Sequence, residues 1–129
     1  MKRLCLVILL LLYSGPAYSE WMSLFTTEEE TVYVDRDTLR RKGELVKMWY
    51  LFDFKIARTV GGDPNLSSKL QIEFDCAEER TRKLASTYFS GHMGSGKANY
   101  TISDPSKWNP VEPASTGEAL WKVACGAGH

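Results

Sequence analysis

His92 and His129 are the only imidazoles in the 129-residue chain, and His129 is its last residue. A nucleophile with a general base would therefore draw on His92, with Ser90 or Ser95 beside it and Asp104 as an orienting carboxylate. Such chemistry needs an imidazole within hydrogen-bond reach of the nucleophile and a partner on its second nitrogen. Nothing in the spacing demands that arrangement. His92 reads as an ordinary loop residue, and no catalytic residue is assigned. The same stretch, Gly91-His92-Met93-Gly94-Ser95-Gly96-Lys97-Ala98, nearly spells a phosphate-binding loop. It carries Ala98 where a Ser or Thr hydroxyl would hold magnesium. Asn99 to Ile102 then reads as a strand, not as the helix whose N-terminus would cradle a phosphate. A glycine-rich loop between strands is the better reading, and no cofactor is expected.

The cysteines come next. Lys2-Arg3, the apolar run Leu4 to Leu12 and the small-residue end Ala17-Tyr18-Ser19 have the form of a secretory signal peptide. The alternative, a membrane anchor, needs about 20 apolar residues. Residues 1–19 are therefore expected to be removed, with residues 20–129 forming one exported domain. Lipid attachment would need a cysteine just after the apolar run, whereas Cys5 lies inside it. A protein without a lipid anchor or membrane span is expected. Loss of Lys2, Arg3 and Cys5 with that segment leaves 110 residues, 14 Lys+Arg against 16 Asp+Glu, and two cysteines. Cys76 and Cys125 in an exported chain read as a disulfide. Closing a loop of about 50 residues, it is worth roughly 4 kcal/mol in the loop-entropy account. Two cysteines without paired histidines make a poor zinc site, so no metal is expected.

The elements that must position these residues are mostly strands. Leu70-Gln71-Ile72-Glu73-Phe74-Asp75-Cys76 alternates strictly, placing Leu70, Ile72, Phe74 and Cys76 on one face. Leu45 to Lys55 puts Val46, Met48, Tyr50, Phe52 and Phe54 on one face and a mixed set on the other, as in a central antiparallel strand. Glu20 to Phe25 and Thr31 to Asp35 precede it as shorter strands, with turn chemistry at Asp35-Arg36-Asp37-Thr38. Thr59 to Ser67 reads as a flexible loop, Ala77 to Glu79 as a turn and Arg80 to Phe89 as a more polar strand. The prolines of Asp104 to Pro113 exclude regular structure and leave an extended strap anchored by Trp108. Ser115-Thr116-Gly117-Glu118 has the form of a capping box opening a helix to about Ala124, with Gly126 as its C-cap. The expected class is α+β: a single antiparallel sheet of about six strands, with a C-terminal α-helix packed on one face and tethered by the disulfide.

Basic residues form two short groups, Arg40-Arg41-Lys42 and Arg80, Arg82, Lys83. With a slightly acidic mature chain these do not describe a nucleic-acid-binding protein. Fallen on one side of the sheet, the two groups would suit heparin-like or acidic protein partners.

Several short stretches, in order, resemble the surface-adhesin protein E-like domain of Gram-negative bacteria. They are Thr31 to Asp35 followed by Arg40 to Gly43, Glu73 to Cys76, Tyr88 to Gly94, and Gly117 to Leu120 followed by Val123 to Gly126. The resemblance covers nearly the whole mature chain. It implies a six-stranded antiparallel sheet with the C-terminal helix held on its concave face by a disulfide. It also implies a non-enzymatic adhesin that binds host matrix or serum proteins such as laminin and vitronectin, and that forms a homodimer. The chain departs from the founding adhesin in having no lipid-attachment cysteine. The expectation is an exported binding domain at the cell surface or in the periplasm of a Gram-negative bacterium. The alternative is a periplasmic envelope module of housekeeping or assembly role, with no host ligand.

Overall fold

Alternating apolar and polar residues dominate the chain, and each such run pairs with the next by a short connection, so the result is an antiparallel meander. The computed structural model describes residues 21–126. The signal segment expected over residues 1–19 lies outside the described residues. Strands β1 (Met22–Thr26), β2 (Glu30–Lys42), β3 (Leu45–Val60), β4 (Asp63–Asp75), β5 (Arg80–Phe89) and β6 (Ala98–Ile102) pair in sequence order. The stretch Asp104 to Pro113, expected to exclude regular structure, holds one exception: a two-residue strand β7 (Asn109–Pro110) pairs with the start of β5, and helix α1 (Thr116–Cys125) follows. The expected class is the observed one.

One face carries the core. Val46, Met48 and Tyr50 of β3 lie opposite Phe74, Ile72 and Leu70 of β4, and Tyr50 also lies opposite Val34 of β2. All are buried, and Leu120, Ala124 and Cys125 of α1 join the same cluster. This is the helix face; the other is the open face. The bond from Cys76 to Cys125, with Cα atoms 5.6 Å apart, ties the end of β4 to the last residue of the helix. Cys125 is fully buried, so the staple closes at the core where the helix ends.

The two long strands depart from the expected boundaries, for one physical reason. Asp35 to Thr38 is not a connection but an insertion inside β2: four residues, 36–39, stand opposite Met48 alone. Asp35 Oδ1 accepts the Asp37 N–H at 3.1 Å, and Thr38 Oγ1 accepts the Trp49 N–H at 2.9 Å. A hydroxyl thus takes the place of a ladder carbonyl, and the strand resumes beyond it. The expected loop at Thr59–Ser67 is likewise corrected. The turn is only Gly61-Gly62, both at positive φ (66° and 89°), which suits a two-residue hairpin. Asn65 and Ser67 are buried strand residues instead. Asn65 donates to the carbonyls of Arg58 and Asp63 and accepts from Asn99, so its amide does turn chemistry from within the sheet.

The helix begins as its sequence implies, with the Ser115 hydroxyl accepting the Glu118 N–H at 3.1 Å. The Glu118 carboxylate reaches back one residue further than a capping box requires, to the Ala114 N–H at 3.3 Å. Gly126 caps the helix in right-handed rather than left-handed geometry. Among the described residues, no helix is long and apolar enough to cross a membrane.

Candidate functional site

The glycine-rich loop folds back over the open face of β3 and β4. Its short 3₁₀ turn, His92–Gly94, is fixed by strand side chains. Asp53 Oδ1 accepts the Met93 N–H at 2.8 Å and lies 3.1 Å from His92 Nδ1. Ser67 Oγ donates to the Gly91 carbonyl at 2.6 Å and accepts the Gly94 N–H at 2.8 Å. Gly94, at φ 72°, sits where a Cβ would come within 3.1 Å of the Lys69 side chain and 3.5 Å of Leu51. The loop thereby covers Leu51, which is fully buried on this face.

The chemistry considered for this stretch is not assembled. The carboxylate against His92 is Asp53, not Asp104, and the ring is largely exposed. Ser95 Oγ donates to the His92 carbonyl, and Ser90 Oγ accepts the Lys97 N–H. Neither hydroxyl is bonded to the imidazole. The loop amides are used internally, with Gly91 N–H donating to Ser95 O and Ser95 N–H to His92 O, and the chain then enters strand β6. Such a loop is a clamp on the sheet. Among the described residues, no group of three or more His, Cys, Asp or Glu side chains is placed to hold a metal ion.

The basic residues form the more organised feature. Cross-strand partners share a face, so the register gives each side chain's side. Arg40 lies opposite Lys47, Lys47 opposite Glu73, and Glu73 opposite Arg82, a row across four strands on the open face. Lys42, Leu45, Asp75 and Arg80 make a second row two residues along. Arg41 and Lys83 alternate to the helix face, opposite Val46 and Ile72. The Arg41 guanidinium turns back to Gly43 O and to Cys76 Sγ, at 4.0 Å. Of the six basic residues singled out, four therefore converge. Lys47 completes the group; its place in an alternating strand carried no signal until the register with Arg40 was known.

Two carboxylates and a tryptophan hold the β5 half of this surface. Glu73 and Asp75 are nearly buried, and they pair with Arg82 at 2.8 Å and Arg80 at 3.0 Å. Both guanidinium carbons stand 4.7 Å from the ring centre of Trp108, which is how the strap is anchored to the sheet. A shallow groove of about 540 Å³ is lined by Arg40, Arg41, Lys42, Leu45, Lys47 and Glu73, so Arg41 still borders it although its Cβ belongs to the helix face. A second aromatic pair, Trp21 and Trp49, shares the ammonium of Lys69 at 5.8 Å from each ring.

Asp75 also caps the turn into β5. Its carboxyl is held below the ordinary carboxylate range, first by the Glu78 N–H, then by Arg80 and the Ala77 N–H, with burial opposing them. A depressed folded-state pKa contributes stability above the ordinary value near 3.9, and that stability is lost as pH falls through and below it. Urea midpoints measured from pH 7 to pH 2 should therefore fall on the acid side. Asp75→Asn should start lower at pH 7 and show a shallower acid decline; an equally steep decline in the variant would assign the effect to other carboxylates.

A sequence model of the family described as Surface-adhesin protein E matches residues 21–126. No curated protein matches the sequence. Among solved structures, crystal form II of Haemophilus influenzae protein E superposes with a TM-score of 0.67 at 12% identity, covering 87% of this chain and 91% of that one. Its selenomethionine form gives 0.66 at 12% identity, covering 86% and 89%. At that identity the likeness is one of fold. It is the sequence match over the whole described region that makes this chain a member of the surface-adhesin protein E family.

Proposed function

We propose that the protein is an exported, non-enzymatic binding domain of the bacterial envelope that engages a protein partner through its sheet edges and loops. The mature form we infer is residues 20–129. The partner class we infer is a host matrix or serum protein such as laminin or vitronectin, and the working form is a homodimer. The observation that carries this reading is the state of the two outermost strands. Among the described residues, β1 and β6 each pair on one side only, and they present Met22, Tyr100 and Ile102 largely exposed. An unpaired strand edge offers backbone donors and acceptors to an incoming strand, and exposed apolar side chains there add contact area.

Oxidised protein lacking residues 1–19, titrated over immobilised laminin and vitronectin at physiological salt, should bind saturably. Ile102→Lys on β6 and Met22→Lys on β1 should each leave the thermal midpoint nearly unchanged. At least one should weaken binding by about tenfold or shift the protein from dimer to monomer in sedimentation, because an edge lysine opposes strand addition. Binding seen only at low salt would mean generic charge attraction. Absence of binding to both ligands would favour the periplasmic envelope module.

A further inference from the structure

The open-face rows place five cations, Arg40, Lys42, Lys47, Arg80 and Arg82, around two carboxylates. Arg80 and Arg82 are matched by Asp75 and Glu73. Arg40, Lys42 and Lys47 are exposed and have no carboxylate within salt-bridge distance among the described residues. With Arg41, which lines the same groove and also makes no salt bridge among the described residues, four unmatched cations thus border one shallow groove on a chain that is slightly acidic once residues 1–19 are gone. At about 4.8 Å per strand, the row from Arg40 to Arg82 extends roughly 14 Å. That is a linear array, not a point site.

We propose that this face binds a sulfated polysaccharide, laid across strands β2 to β5 along the Arg40–Lys47–Arg82 row. Sulfate esters stay ionised at all physiological pH and accept from guanidinium and ammonium groups in the manner of phosphates. The array is stiff at its β5 end, where Trp108 and the buried carboxylates fix both guanidinium groups, so little side-chain freedom is lost there on binding. Two other polyanion classes fit less well. Single-stranded nucleic acid needs free aromatic faces on which bases stack, yet Trp108 is occupied by two guanidinium groups and Trp21 and Trp49 by Lys69. An acidic protein would be expected to find an apolar centre with lysine depleted, whereas the groove has Leu45 alone among charged side chains. This proposal is independent of the edge-strand reading, which uses Met22, Tyr100 and Ile102.

The test is a calorimetric titration of heparin oligosaccharide into oxidised protein lacking residues 1–19 at physiological salt, with desulfated heparin and single-stranded DNA of matched length as comparison probes. Saturable heparin binding is expected, with both comparison probes markedly weaker. The Arg40→Glu/Lys42→Glu pair should weaken it by about tenfold or more, the loss of one or two ion pairs made and then reversed. The Lys83→Glu/Lys122→Glu pair, with equal charge change on the helix side, should weaken it by no more than about twofold, because screening confines exposed charges to roughly a Debye length. Arg82 is left alone, since its loss would strand Glu73. No saturable binding, equal losses in the two variant pairs, or DNA or desulfated heparin bound as tightly would each overturn the proposal. Retention of heparin binding in Ile102→Lys keeps this outcome separate from that of the edge strands.

Discussion

Replacing both cysteines by alanine, Cys76→Ala/Cys125→Ala, is expected to lower the unfolding free energy by about 4 kcal/mol, from the closure entropy of a loop with a sequence separation of 49. For a domain of this size that corresponds to a thermal midpoint lower by about 15 °C. The argument runs through the unfolded chain. With the bond intact, the end of β4 and the end of α1 stay together after unfolding, so less chain entropy is recovered. Alanine is the proper replacement because Cys125 is fully buried and a serine hydroxyl there would add its own desolvation penalty. Calorimetry of the oxidised protein, the reduced protein and the double variant checks the account. Reduction and substitution should give nearly the same midpoint. A loss under about 5 °C would mean that helix packing alone holds the C-terminus, against the loop-entropy estimate.

Phe74→Ala carries the second large effect, a loss of about 3–5 kcal/mol. Phe74 is fully buried, lies opposite Val46 and Thr81, and sits on the helix face in one cluster with Leu120 and Cys125. The strands on either side and the helix above leave little scope for collapse into the vacated space. Phe52 provides the contrast. It belongs to the same alternating series but is only partly buried, packed against the edge of that cluster and edge-on to Tyr50 with ring centres 5.2 Å apart. Phe52→Ala should cost clearly less. Urea unfolding with unchanged slopes would support a native-state packing loss in both variants. Equal midpoints for the two would sink the idea that the helix-covered end of the sheet is its best-packed part.

The strand alternation from Leu70 to Cys76 and from Val46 to Phe54, the capping serine at 115 and the single pair of cysteines were legible in the chain because each is a local rule. Side chains two apart share a strand face, a hydroxyl caps a first turn, and two thiols in an oxidising compartment pair. Those rules suffice for an antiparallel sheet with a stapled helix. They do not reach across strands. Asp35–Thr38 and Thr59–Ser67 read as loops because Asp, Asn, Ser and Gly favour turns, and only the tertiary structure decided that Thr38 and Asn65 spend that chemistry inside a ladder. Asp53 could not be named as the partner of His92, 39 residues away, from composition or spacing. The open-face array depends on the register of four strands. A shift of one residue in any of them would send its cations to the other face, as the placement of Arg41 and Lys83 shows. The sequence by itself determined which residues are basic and which strands carry them. Register, a property of the assembled sheet, decided which of them stand together.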